Sequence, residues 1–276
     1  MRGEFVDVAG RRLYYYAAGA RGVGEPVVFV HGFPASSQLW HAVVREMPDG
    51  HRLVVLDLLG FGRSDRPDGA PLTVAAHAER LKGLLDELQI DRACLVGHGM
   101  GGAVAQHAAL AWPQRVSRLG LVSSVAFDVW PRRAARVARQ LSAFVPLGRA
   151  LGAPLLAGFI HGSLLPGFAD AEAGRRALDS YLRAFTSHLG VEALVAQLRA
   201  MSDPGVAALG HRLGSLALPT AIVCGALDPF LPVRLGSRLQ RVIPGATLDI
   251  IPQASHFAPE DTPERVAASI TALLRR

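Results

Sequence analysis

A chain of 276 residues, 50% hydrophobic and 19% charged, is too apolar for a disordered protein and long enough for one large α/β domain or two small ones. Its net charge of +6 is carried almost wholly by arginine, with Lys82 the single lysine. These arginines scatter over helix-like segments, densest in "WPRRAARVARQ", without the interleaved aromatics that stack on bases, so no nucleic-acid partner is expected.

The elements read in chain order as follows. "EFVDV" and "RRLYYYAAG" form an N-terminal hairpin turned at Ala9-Gly10. "PVVFVHG" is a short buried strand, "QLWHAVVREM" a helix, "RLVVLD" a strand, "LTVAAHAERLKGLLDELQI" an amphipathic helix, "ACLVG" a strand, "GGAVAQHAALAW" a helix and "RLGLVSS" a strand. Strands with little internal alternation, separated by helices, predict a mostly parallel sheet covered on both faces. From about Ala126 to Leu216 the segment is helix-like throughout and broken by prolines, which reads as an insertion. The alternation resumes with "TAIVCG", "PVRLGSRLQRVI", "TLDIIP" and a closing helix "TPERVAASITALLRR", for which Thr262 and Glu264 suit the start. No apolar run approaches the roughly 18 to 20 residues needed to cross a bilayer, and "MRGEFVDVAGRRLYYY" lacks the apolar core of a secretory leader, so a cytoplasmic protein with no membrane partner is expected. Cys94 and Cys224 fall inside strand-like runs, as buried thiols do, and form no metal-ligand spacing.

Candidate chemistry concentrates at strand ends. "GHGMGG" has the frame of a G-x-S-x-G turn between strand and helix, with Gly97, Gly101 and Gly102 in place but Gly99 where the reactive side chain would stand. A bare glycine-rich turn can also bind a phosphate, but the run has neither dinucleotide spacing nor a Walker lysine. "HGFP" ends an earlier strand and allows the Phe33 N–H to point with the Met100 N–H into one cavity as an oxyanion site. Downstream, "VCGALDPFLP" sets Asp228 after one strand and "ASHFAPE" sets His256 after the next, the pairing in which a carboxylate orients an imidazole base.

Taken in order, "HGFP", "DLLGFGRSD", "GHGMGG", "GALDPFLP" and "ASHFAPE" resemble the α/β-hydrolase fold superfamily, particularly the capped branch of esterases, C–C hydrolases, epoxide hydrolases and haloalkane dehalogenases. The resemblance implies an α/β fold with an eight-stranded, mostly parallel sheet flanked by helices. It implies a core of residues 1–126 and 216–276 and a helical cap over 127–215. It places the family's acid on Asp228, its histidine on His256, its oxyanion donors on Phe33 and Met100, and its nucleophile on Gly99. The usual geometry of the fold turns His98 away from the elbow tip and leaves Ser36, Ser37, Ser123 and Ser124 at other strand ends.

Glycine at that position excludes serine and aspartate covalent mechanisms, yet relieves a backbone strain of about 1–3 kcal/mol. Removing the hydroxymethyl group opens a space comparable with one water's share of the liquid, roughly 30 Å³. The reading that uses this space makes His256, oriented by Asp228, a general base acting on a water or on an acidic substrate proton. The products could be those of hydrolysis or of a lyase, cyclase or isomerase. The alternatives are an engineered Ser-to-Gly inactive form of a serine esterase and a non-catalytic small-molecule receptor on the same scaffold. Trp40, Phe127, Trp130, Phe230 and Phe257 are candidate substrate contacts and imply a small, largely apolar organic ligand. No metal, nucleotide or flavin motif appears, so no cofactor is expected.

Overall fold

The computed structural model describes residues 3–19, 24–67, 69–129, 153–185, 188–200 and 205–276. The hairpin β1 (Gly3–Val8) and β2 (Arg11–Ala18) turns through Ala9 and Gly10, whose φ values of 53° and 75° are the left-handed pair that matches strand twist. The other strands are β3 (Val27–Val30), β4 (Leu53–Leu56), β5 (Ala93–His98), β6 (Val116–Val122), β7 (Thr220–Gly225) and β8 (Thr247–Ile251). They form one eight-stranded sheet in the order β1-β2-β4-β3-β5-β6-β7-β8. β1 and β2 are antiparallel to their neighbours, and every pairing from β4 through β8 is parallel.

Parallel strands cannot be joined by tight turns, so helices return the chain over the sheet and bury both faces. The two-residue period of the strands sorts their side chains accordingly. Val28, Val30, Val54, Leu56, Leu95 and Leu119 enter a core with α2 (Val74–Glu87), α3 (Met100–Ala111) and α8 (Val233–Val242). Val27, Phe29, Val55 and Val96 enter a second core with α1 (His41–Glu46) and α10 (Pro263–Leu274). Thr73 caps α2 by accepting the Ala76 N–H at 3.2 Å. Thr262 does stand at the start of α10, but its hydroxyl donates to Ala258 O instead of capping, because the short helix α9 (Ala258–Asp261) runs directly into it.

Between β6 and β7 the described residues contain no strand. They form α4 (Ala153–Leu164), α5 (Ala171–Leu182), α6 (His188–Ala200) and α7 (Gly205–Arg212). Two buried polar ties hold this region to the sheet end. Gln197 of α6 donates to Leu59 O at 2.7 Å and pairs with His77 of α2, while Tyr181 of α5 donates to Glu260 of α9. Among the described residues no helix is long and apolar enough to cross a membrane.

Candidate active site

The turn from β5 into α3 is closed by small residues. A Cβ on Gly97 would stand 2.3 Å from Gly101 O, and one on Gly101 would stand 2.3 Å from Val30 O, so only glycine lets strand, helix and the neighbouring β3 approach this closely. At the apex Gly99 has φ 54° and ψ −119°, a backbone state that strains any residue with a side chain. Its carbonyl accepts the Gly102 and Val125 N–H groups at 3.1 and 3.0 Å, which holds the apex from both sides. A Cβ built on Gly99 would meet only Gly32 Cα at 3.6 Å and His256 Nε2 at 3.8 Å, both ordinary van der Waals contacts.

Asp228 and His256 meet as the chain order suggests. His256 Nδ1 lies 2.8 Å from Asp228 Oδ2, and Asp228 Oδ1 accepts the Phe230 and Leu231 N–H groups at 2.8 and 2.9 Å. Burial pushes the Asp228 carboxyl pKa up, but the His256 charge and hydrogen bond and the two amides outweigh it and hold the group below its ordinary value. The carboxylate therefore stays ionised, which keeps the Nδ1 proton on its side of the ring and leaves Nε2 facing Gly99.

The HGFP turn lies against the apex, since a Cβ on Gly32 would be 3.3 Å from Gly99 Cα. His31 anchors that turn. Its Nε2 accepts the Leu58 N–H at 3.0 Å and its Nδ1 donates to Gly32 O at 2.9 Å, a neutral tautomer favoured by burial, which lowers its pKa. Phe33 follows Gly32 directly, and Met100 opens α3, where the first amides have no intrahelical acceptor.

The aromatic candidates divide. Phe230 and Phe257 set their rings edge-on to the imidazole of His256, at 5.2 and 5.1 Å between centroids. Trp40 does not touch the imidazole: its ring packs in the core on Phe29 at 5.1 Å and edge-on to His98 at 6.5 Å. Phe127 is also consumed by packing, buried beneath the Arg238 guanidinium at 3.8 Å and against Gly210. Trp130 lies outside the described residues.

His98, just before the apex, is buried and packs beside the base. Its ring is 4.9 Å from that of His256, and its Nε2 donates to His256 O at 3.0 Å. Burial drives its pKa down to about 3, so it is a neutral brace for the base and not a second proton acceptor at neutral pH.

Three further supports escaped the sequence reading. Asp261 accepts the Ser255 N–H at 2.8 Å and the Ala169 N–H at 3.0 Å, fastening the His256 loop to the start of α5. Phe168 stacks on Phe257 at 4.2 Å. Gly167 lies so close to Phe230 and Phe257 that a Cβ there would come within 2.6 and 3.1 Å of them. The short "LPGFAD" run was visible only as a breaker within a helical stretch; nothing in its spacing connected it with a loop some 90 positions away.

Known proteins share the fold. A sequence profile described as the alpha/beta hydrolase fold matches residues 25–263. An uncharacterized Mycobacterium tuberculosis protein is 32% identical over 273 residues, covering 95% of this chain and 78% of that one. A haloalkane dehalogenase from the same species is 29% identical over 276 residues, covering 97% and 93%. The structure of a thermophilic esterase from Thermogutta terrifontis superposes with a TM-score of 0.84 at 27% identity, covering 100% of this chain and 98% of the other. A profile match across most of the length leaves one assignment: this chain belongs to the alpha/beta hydrolase fold family.

Proposed function

We propose that this protein is an α/β-hydrolase-family enzyme acting on a small, largely apolar carbonyl compound, an ester, lactone or ketone, without a covalent serine intermediate. The observation that carries this reading is the 3.8 Å between His256 Nε2 and the point where a Gly99 Cβ would stand. A nucleophile one bond beyond that point falls within the hydrogen-bond reach, about 2.6–3.2 Å, that a general base requires. A substrate-activating water, or an acidic C–H of the substrate, would meet the imidazole there.

In this scheme His256 takes the proton at Nε2, Asp228 stabilises the imidazolium through Nδ1, and the Phe33 and Met100 amides receive the negative charge that develops on the carbonyl oxygen. General-base catalysis of this type supplies about 10²–10⁴-fold and each oxyanion donor about 10²–10³-fold, enough for an enzyme without acyl transfer to protein. Phe230 and Phe257 give the imidazole apolar walls. Residues 127–215 act as the cap over this site, anchored by the Gln197 and Tyr181 bonds. Similarity to an esterase favours the ester branch of the substrate class.

The test is a panel of short-chain esters, lactones and β-diketones assayed with the unaltered chain and with His256→Ala. Turnover that falls at least about 10²-fold in the variant supports the reading. Turnover that is insensitive to His256→Ala overturns it.

A further inference from the structure

Residues 57–64, the loop that follows β4, carry a glycine on either side of Phe61, with φ values of 85° at Gly60 and 51° at Gly62. A Cβ on Gly60 would stand 2.7 Å from Gln197 Nε2, and one on Gly62 would strike the Asp57 carboxylate. The two glycines therefore let the loop close onto the cap on one side and onto its own buried acid on the other, with Phe61 fully buried between them.

The loop is fastened in two directions. Toward the HGFP turn, Leu58 donates its N–H to His31 Nε2 at 3.0 Å, and Asp57 accepts the Ser37 N–H at 2.5 Å and the Arg63 N–H at 2.8 Å. Toward the cap, Leu59 O accepts from Gln197 Nε2 at 2.7 Å, and Arg66, just beyond the loop, donates through Nη2 to Ala184 O at 2.5 Å.

The Phe61 ring joins the two sides. It stands edge-on to His31 at 5.2 Å and to Phe33 at 6.2 Å, so it meets the residues before and after Gly32, the glycine packed against Gly99. Its third edge-on contact, at 5.9 Å, is with Phe185, a buried residue just past α5. Edge-to-face rings prefer a set relative orientation, and a close-packed interior passes a displacement on instead of absorbing it. A shift of Phe185 is thus taken up by Phe61, and Phe61 can yield only by moving the side chains that bracket Gly32.

We propose that Phe61 is a positioning residue that sets the direction of the Phe33 amide and makes it depend on how the cap is seated. This rests on the proposed role of that amide as an oxyanion donor. The end of α5 then acts on turnover without approaching the reacting atoms.

The test is a double-mutant cycle on the full chain, Phe61→Leu, Phe185→Leu and the two together, read in two ways. The first is the amide proton–nitrogen spectrum. Phe185→Leu, one ring removed from Phe33, is expected to shift the Gly32 and Phe33 cross-peaks and leave that of Leu121 in β6 in place, and the shift is expected to vanish where Phe61 is already leucine. The second is kinetics on whichever ester, lactone or β-diketone the unaltered chain turns over. Phe61→Leu should lower kcat about tenfold or more with KM within about twofold, since a misplacement of about 1 Å can cost about 10²-fold, and adding Phe185→Leu should lower kcat no further. Should Phe61→Leu fail to fold, Phe61→Met replaces it under the same criteria. The proposal is overturned by Gly32 and Phe33 cross-peaks that Phe185→Leu leaves in place, by a shift that persists in full on the Phe61→Leu background, or by a rise in KM with kcat unchanged. A chain that turns over none of these compounds sinks the proposed function alone, and the cross-peaks, which need no substrate, then decide the coupling.

Discussion

Nε2 of His256 looks directly at the Cβ position of Gly99, 3.8 Å away, with no other side chain between them. The site therefore has space for a hydroxymethyl group although its sequence provides none. Gly99→Ser is expected to fold with a stability cost of about 1–3 kcal/mol from the positive φ, lowering Tm by about 2–4 °C per kcal/mol. It is also expected to hydrolyse short p-nitrophenyl esters with a burst phase, while Gly99→Ala shows the same loss of Tm and no burst. Stopped-flow assay and thermal unfolding of both variants check this; a folded Gly99→Ser chain with no acyl-enzyme would mean that the Phe33 and Met100 amides are not aligned for an acyl transition state.

Asp228→Asn separates orientation from packing. Asparagine can still accept the Phe230 and Leu231 N–H groups, so the loop should persist and unfolding midpoints should move little. The Nδ1 proton of His256 would lose its charged acceptor, and the tautomer that frees Nε2 would no longer be favoured. On the Gly99→Ser background ester turnover should drop by about 10³–10⁴-fold with KM nearly unchanged. Steady-state kinetics on the double variant measure this directly, and a comparable rise in KM with kcat unchanged would place Asp228 in substrate binding instead.

Which parts of this arrangement were readable beforehand follows from the range of the interactions involved. The succession of strands and helices along the chain, the Ala9-Gly10 turn and the places of Asp228 and His256 after their strands depend on local patterns, namely apolar runs, punctuating glycines and residues at strand ends, whereas the order of the strands within the sheet does not. Trp40 illustrates the limit. A tryptophan near a strand end reads equally as pocket or core, and its burial on Phe29 is decided by a helix start whose direction no periodicity reports. The bond from His98 to His256 O lies beyond such patterns for a related reason: it joins residues 158 positions apart and depends on how β5 and the His256 loop come together in space. Asp261 and Gly167 are supports of the same non-local kind.

His77 makes stability depend on acid. It is fully buried on α2, paired through Nε2 with Gln197, and burial lowers its pKa to about 3 from an ordinary 6.5. The folded chain holds this ring neutral while the unfolded chain protonates it. Its contribution is thus complete above pH 6.5 and is lost as pH falls toward 3, at about 1.4 kcal/mol per unit. Urea unfolding of the unaltered chain and of His77→Gln at pH 7 and pH 5 should show the acid loss smaller in the variant by about 2 kcal/mol. Equal losses would mean that the ring takes up its proton within the folded state.

The Tyr181 to Glu260 bond carries the opposite sign. Burial raises the Glu260 pKa above its ordinary value, and the Tyr181 hydroxyl is the main group opposing that rise. A carboxyl whose folded pKa is raised favours the folded state while protonated, so its contribution is present below the unfolded value and is lost as pH rises through the folded one. Tyr181→Phe removes the donor and raises the folded pKa further. The variant should therefore lose about 1.5–3 kcal/mol at pH 8, where the buried carboxylate is left with one donor fewer, and much less at pH 4, where the carboxyl is neutral. Because this bond joins α5 to α9 beside the His256 loop, the same variant should show faster amide exchange at pH 8 in residues 165–185 than in β5 or β6. Exchange that rises uniformly across the chain would show instead that α5 opens only when the whole fold does.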